Sequence, residues 1–241
     1  MAEILLALEG STPVLSLALA EREGGCLAHL RFDEGESHSR LLPGLIDDLL
    51  AQAGLRPEAL GGVAVGIGPG AFTGLRVILA TAKGIAYARR IPLYGVSTLA
   101  ALALAARASA PSDAVLVPLL DARKKQVYAG FFRISGRGVE ALAPEAALPP
   151  EAVAQRLEAF CGPVVLLGEG YRVYRDVLDA TVGARRLDLD ALPRFPDARE
   201  VAALASSSPR FVGPEIFFLE PAYLRSSDAE LGWTRPGKRV S

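Results

Sequence analysis

The 241 residues suffice for one large domain or two of roughly 100 to 150 residues with real cores, and 51% hydrophobic against 22% charged residues, at mean hydropathy +0.29, excludes an unfolded or fibrous chain. With 26 Lys and Arg against 27 Asp and Glu, the net charge of -1 leaves no overall electrostatic footprint for nucleic acid, whose contact needs a local patch or a partner. The two cysteines, Cys26 and Cys161, are too few for a disulfide scaffold and lack metal-site spacing, so reduced thiols in a cytoplasm are the expectation.

The start, Met1-Ala2-Glu3-Ile4-Leu5, has no basic segment or cleavage site and reads as strand rather than signal peptide. Residues 4–8 and 13–20, divided by the polar turn Glu9-Gly10-Ser11-Thr12, predict a β-hairpin, and 25–32 a third strand of the meander. Leu41, Leu42, Leu45, Ile46, Leu49 and Leu50 recur at helical spacing with Gly54 as the stop. Pro43 lacks an N–H, so the well-formed helix should begin close to it, with His38 and Ser39 at its entrance. A continuous apolar strand over 62–67 runs into the tight turn Gly68-Pro69-Gly70, and Thr73 is the expected N-cap of a helix ending near 89 or 90.

Ser97 or Thr98 caps the next helix, 99–107, after which 114–120 and 126–132 form a second hairpin around Asp121-Ala122-Arg123-Lys124. The Pro- and Ala-rich stretch 141–151 reads as a linker, 152–159 as helix, and 164–167 as a buried strand entering Gly168-Glu169-Gly170. A helix over 198–205 precedes the apolar, proline-broken segment 211–224, and 226–241 reads as a flexible basic tail. The longest uncharged stretch, 91–106, is too short and too broken to span a membrane. A hairpin followed by helix and strand units occurs twice. The expectation is therefore a duplicated α/β fold, each lobe a mixed sheet packed by helices, with lobes over 1–106 and 107–225.

Glycines following a strand at a helix start free backbone N–H groups for an anion or phosphate, which makes Gly68, Gly70 and Thr73 candidate contacts; equally, the glycines can serve only to tighten the turn. Arg76 lies near the positive end of the same helix, where a carboxylate or phosphate would offset its charge. Ala80, Gly84 and Ala88, four residues apart, form a small-residue ridge on which another helix can approach closely, within the lobe or from another molecule. Asp121 and Arg123 either orient a nucleotide or cap their own turn. Metal and nucleophile chemistry lack residues: the only histidines are His29 and His38, position 42 one turn beyond His38 is Leu42, and no G-x-S-x-G elbow occurs.

Four segments in order, Gly68-Pro69-Gly70-Ala71-Phe72-Thr73-Gly74-Leu75-Arg76, Val96-Ser97-Thr98-Leu99, Asp121-Ala122-Arg123 with Val127-Tyr128, and Pro221-Ala222-Tyr223-Leu224-Arg225, make the chain resemble the TsaB (YeaZ) family nearly end to end. The resemblance implies the two-lobed fold of actin, Hsp70 and sugar kinases (ASKHA). It also implies a non-catalytic subunit that activates TsaD, which transfers a threonylcarbamoyl group to the adenosine beside the anticodon of tRNAs reading codons that start with A. It places Leu41, Leu45, Arg76, Ala80, Lys83, Gly84 and Ala88 on a helical-bundle interface with TsaD, used for a homodimer when TsaD is absent, with TsaE in a larger complex and tRNA reached indirectly. Catalytic relatives carry two metal-binding histidines one helical turn apart, and Leu42 occupies the second position here, so no metal is expected. Nucleotide-binding relatives carry an Asp in the first hairpin turn where this chain has Glu9, so ATP or ADP is expected only weakly or at the TsaD interface. The competing expectations are an independent ATPase, sugar kinase or metallopeptidase-type enzyme, and direct tRNA contact through Arg225, Arg235, Lys238 and Arg239.

Overall fold

Strands β1 (Ile4–Glu9), β2 (Leu15–Glu21) and β3 (Cys26–Phe32) form an antiparallel meander, as their apolar runs predict. Helix α1 (His38–Gln52) then crosses over to β4 (Leu60–Gly66), which lies parallel to β1, and α2 (Phe72–Arg89) leads to β5 (Leu93–Val96), parallel to β4. In this computed structural model, residues 3–22, 25–33, 38–189 and 192–224 are described, without the side chains of 38–40 and 181. After α3 (Thr98–Ala105) the plan repeats: β6 (Val115–Arg123), β7 (Gln126–Ser135) and β8 (Gly138–Leu148) form a meander. Then α4 (Pro150–Leu157) crosses to β9 (Val164–Leu167), parallel to β6, and the short helix α5 (Glu169–Val173) follows. The sheet orders, β10-β5-β4-β1-β2-β3 with β10 at Arg210–Phe211 and β8-β7-β6-β9, share the same meander-plus-parallel plan, which is the duplicated two-lobed α/β fold expected.

The strands of the first sheet read as unbroken apolar runs because both faces are covered. Leu6, Leu8, Leu17, Leu19, Val63 and Val65 pack with the buried residues of α1 and α2, whereas Leu5, Ala7, Ala18, Ala64 and Tyr94 pack on the other side with α3 and α7 (Ala198–Leu204). The second sheet is flanked likewise, with Leu119, Phe131 and Leu166 against α4 and α6 (Arg175–Val182), and Leu99, Leu102 and Ala103 of α3 filling the other face. Among the described residues no helix is long and apolar enough to cross a membrane.

Three expectations require correction. Helix α1 begins at His38 and carries Pro43 inside it. Leu42, Ile46, Leu49 and Leu50 are buried, and at about 1.5 to 3 kcal/mol each they outweigh the ~3 kcal/mol cost of one interior proline whose ring faces solvent. Residues 138–148 form a strand rather than a linker, paired with β7 along most of its length; β8 is an edge strand, where Pro144 costs no ladder bond on its open side, and the ladder slips around Phe131. The chain from 197 to 224 does not stay with the second lobe. Helix α7 packs on β1 and β2, β10 pairs antiparallel with β5, and Ile216 and Leu219 enter the core beneath α2, because the first sheet would otherwise expose Ala7, Ala18 and Tyr94. The predicted tail, 226–241, lies outside the described residues, as does Arg225.

Candidate functional site

Helix α2 owes its position to Leu75, Ile78, Leu79, Ala82 and Ala86, a stripe at 3.6-residue spacing that is buried on the first sheet. It starts two residues earlier than Thr73 would cap it: Ala71 is the N-cap, without a side-chain cap, and its N–H donates to Ser11 O at 2.6 Å. Thr73 is exposed in the first turn. The opposite side of α2 carries Arg76, Ala80, Gly84 and Ala88, all exposed, and a Cβ at Gly84 would meet nothing within 4 Å. The small-residue ridge is therefore not spent on packing inside this lobe. Beside it α1 offers Leu41, 44% exposed, and the half-buried Leu45, while Leu42 is fully buried and points into the core. Lys83 is half-buried, and its Nζ donates to Phe217 O at 3.2 Å. The Arg76 guanidinium lies 3.7 Å from the Phe72 ring centroid and donates from Nε to Tyr223 Oη at 3.1 Å.

The glycine-rich turn has a packing explanation. At Gly70 a Cβ would collide with Ser11 O, and at Gly74 with Gly10 O, so both glycines let α2 approach the first hairpin turn backbone to backbone. Gly68 has φ +106, its N–H is taken by Thr98 Oγ1 at 3.2 Å, and Thr98 N–H donates to Gly68 O at 2.9 Å. Behind this turn sits a group that spacing did not single out. Glu9 is fully buried; Ser11 N–H donates to its Oε1 at 2.7 Å and the Thr98 hydroxyl to its Oε2 at 3.3 Å, while burial pushes its carboxyl above the usual range. Gly66 on β4 makes room for it, since a Cβ there would fall on Glu9 Oε2 and 2.8 Å from Cδ. Glu9 is thus an internal plug between β1, β4 and α3.

Asp121 and Arg123 lie on the second sheet. Arg123 N–H donates to Asp121 Oδ1 at 2.9 Å, an Asx-type turn, and the Tyr174 phenol, raised first by desolvation, also bonds Asp121. Gly168 and Gly170 tuck against the backbone of Leu119 and Leu120, beside a cavity of about 390 Å³ where Arg186 is held by Asp179 and Asp188. The structure therefore leaves Arg76, Ala80, Gly84 and Ala88 exposed along α2 and Leu41 exposed on α1, and assigns Gly68, Gly70, Asp121 and Arg123 contacts within the fold.

A second cluster was invisible in the sequence because its members lie up to 181 positions apart. His29 Nε2 is 3.1 Å from Ser16 Oγ and 3.0 Å from Asp197 Oδ1. Both partners use one ring nitrogen and Ser16 is fully buried, so this is a tie between β2, β3 and α7 rather than a nucleophile with its base. Burial lowers the His29 pKa, opposed by Asp197; burial opposes charge on Asp197 too, but hydrogen bonds from the Arg199 side chain and backbone outweigh it and hold the carboxyl low. Among the described residues no group of three or more His, Cys, Asp or Glu side chains is arranged to hold a metal ion.

Residues 33–233 match the family model described as TsaD, tRNA N6-adenosine threonylcarbamoyltransferase. The chain is 31% identical over 236 residues to the tRNA threonylcarbamoyladenosine biosynthesis protein TsaB of Escherichia coli K12, covering 97% of this chain and 99% of that protein. It is 26% identical to the TsaB of Bacillus subtilis 168, with the same coverage. A crystal structure from Pseudomonas aeruginosa, described as an uncharacterized protein with similarity to peptidase YEAZ, superposes with a TM-score of 0.79 at 31% identity, over 92% of this chain and 100% of that one.

Proposed function

The chain belongs to the TsaB (YeaZ) family, related to TsaD but catalytically distinct from it, and from that premise we propose that it is the non-catalytic subunit that binds and activates TsaD in threonylcarbamoyladenosine synthesis on tRNA. The observation that carries the reading is the exposed ridge of Ala80, Gly84 and Ala88, with Leu41 and Leu45 on α1: a side of α2 that no element among the described residues covers, whose small residues admit a second pair of helices at close range. On this reading TsaD supplies that pair in a four-helix bundle, a second copy takes the same place when TsaD is absent, TsaE joins the larger complex, and tRNA is met through TsaD. The work is cytoplasmic. Any ATP or ADP binds weakly or at the TsaD interface, since buried Glu9 and the closed glycine turn leave the first lobe little room for phosphates. An independent kinase would need carboxylates open to Mg²⁺; of the two candidates, Glu9 is enclosed and Asp121, on the second sheet, is engaged by Arg123 of its own turn.

The test is threonylcarbamoyl transfer to tRNA by purified TsaD, TsaE, threonylcarbamoyl-adenylate and ATP, with and without this protein. Transfer should depend on it, while it turns over no ATP alone. Gly84→Leu, which places a bulky side chain where the partner helix sits, should abolish both calorimetric binding to TsaD and the stimulation. Wild-type affinity in that variant would refute the interface, and transfer that proceeds equally well without the protein would refute the role.

A further inference from the structure

All five exposed aromatic side chains among the described residues lie on α2 or on the segment that follows β10: Phe72, Tyr87, Phe217, Phe218 and Tyr223. That segment, a 3-10 turn at Gly213–Phe218 continuing to Leu224, is strapped along α2. Ile216 and Leu219 are buried beneath the helix, Lys83 Nζ holds Phe217 O, the Tyr87 and Phe217 rings are 5.0 Å apart, and Ala222 N–H donates to Ile67 O at 2.7 Å. Its backbone is thus fixed, yet Phe217 and Phe218 stay 55% and 78% exposed. At the other end of α2, Phe72 and Tyr223 stack at 5.1 Å. Arg76 lies over Phe72 and donates its Nε to Tyr223, so one edge of the guanidinium is taken and its plane is set. Among the described residues the Nη edge is the one that remains for a carboxylate.

Single exposed apolar residues are ordinary, but an aromatic ledge along α2, with a ring pair at each end and an oriented arginine, has the composition of an interface. We propose that the strap and Arg76 complete the docking face for the TsaD-type subunit, which lays an apolar side chain against Phe217 and Phe218 and a carboxylate on the Nη edge of Arg76. The inference rests on the partner assignment made above. It extends that assignment, since the ledge is continuous with the ridge through Arg76 and Lys83, and the match of residues 33–233 to the TsaD model supplies a subunit of kindred fold to cover ridge and ledge together.

Phe218→Ala and Arg76→Lys, in the full chain, test it by calorimetric titration with TsaD from the same source, with melting temperatures confirming that both variants are folded and Gly84→Leu as the ridge control. Each is expected to weaken binding about tenfold or more, with the Arg76→Lys loss persisting at high salt because Lys keeps the charge and loses only the paired Nη geometry. Wild-type affinity in Phe218→Ala and Arg76→Lys, with Gly84→Leu still unable to bind, would overturn the ledge and leave the ridge standing. Wild-type affinity in all three would overturn both. Weakened self-association in sedimentation with unchanged TsaD affinity would give the ledge to a second copy and overturn the proposal.

Discussion

Adding one methyl group at two glycines should move stability in opposite directions. At Gly66 the new Cβ would fall on the carboxylate end of Glu9, which is fully buried and held by Ser11 and Thr98. To make room, Glu9 must give up two hydrogen bonds worth about 0.5 to 1.5 kcal/mol each and leave polar atoms unsatisfied at a further ~1 kcal/mol or more, so Gly66→Ala should cost about 2 to 4 kcal/mol. At Gly84 the methyl meets nothing within 4 Å, in the interior of an 18-residue helix. There Ala is favoured over Gly by about 1 kcal/mol. For a chain of this size about 2 to 4 °C accompany each kcal/mol, so Gly66→Ala should melt roughly 5 to 15 °C lower and Gly84→Ala a few degrees higher. Thermal unfolding followed by far-ultraviolet circular dichroism at two protein concentrations separates folding from self-association. A wild-type melting temperature for Gly66→Ala would mean that Glu9 is free to move. A destabilised Gly84→Ala at both concentrations would mean that the ridge is packed against its own chain.

Glu200, at the start of α7, has its pKa pushed up to about 6, first by burial and then by Asp197. A folded pKa above the unfolded value means that ionisation works against folding, so this group's contribution improves as pH falls from above 6 towards 4.5. Glu200→Gln should therefore stabilise the protein by at most about 2 kcal/mol at pH 7.5 and by little at pH 4.5, as read by urea unfolding; an equal gain at both values would exclude ionisation as the cause. Ser97 caps α3 by accepting from Ala100 N–H at 3.1 Å, and its hydroxyl also bonds the partly buried Glu145 of β8, tying the two lobes. Ser97→Ala should cost about 1 to 3 kcal/mol, in the same assay, whereas a cost near zero would show that water replaces both bonds.

Much of this architecture was legible because its signals are local. The apolar runs of β1, β2, β4, β6 and β9, the heptad-like stripe of α1 and the cap at Ser97 each depend on neighbours a few positions away. Local signals misled where a distant contact overrode them. Ala and Pro at 141–151 resemble a linker, but β7 supplies a ladder of backbone bonds that is indifferent to side-chain composition. Thr73 is a good cap by type, yet Ser11 O reaches Ala71 first. Pro43 suggests a helix start, and four buried apolar residues carry the helix through it.

The sequence by itself determined the alternation of strands and helices, their duplication, the lack of a histidine pair and the presence of a small-residue ridge. Only the tertiary structure decided that the ridge faces outward, that residues 197–224 return to the first sheet and strap α2, that Glu9 fills the space left by Gly66, and that Ser16, His29 and Asp197 meet. Periodicity records that a face is apolar or small, whereas what covers that face depends on contacts between segments far apart in the chain, which no local pattern encodes.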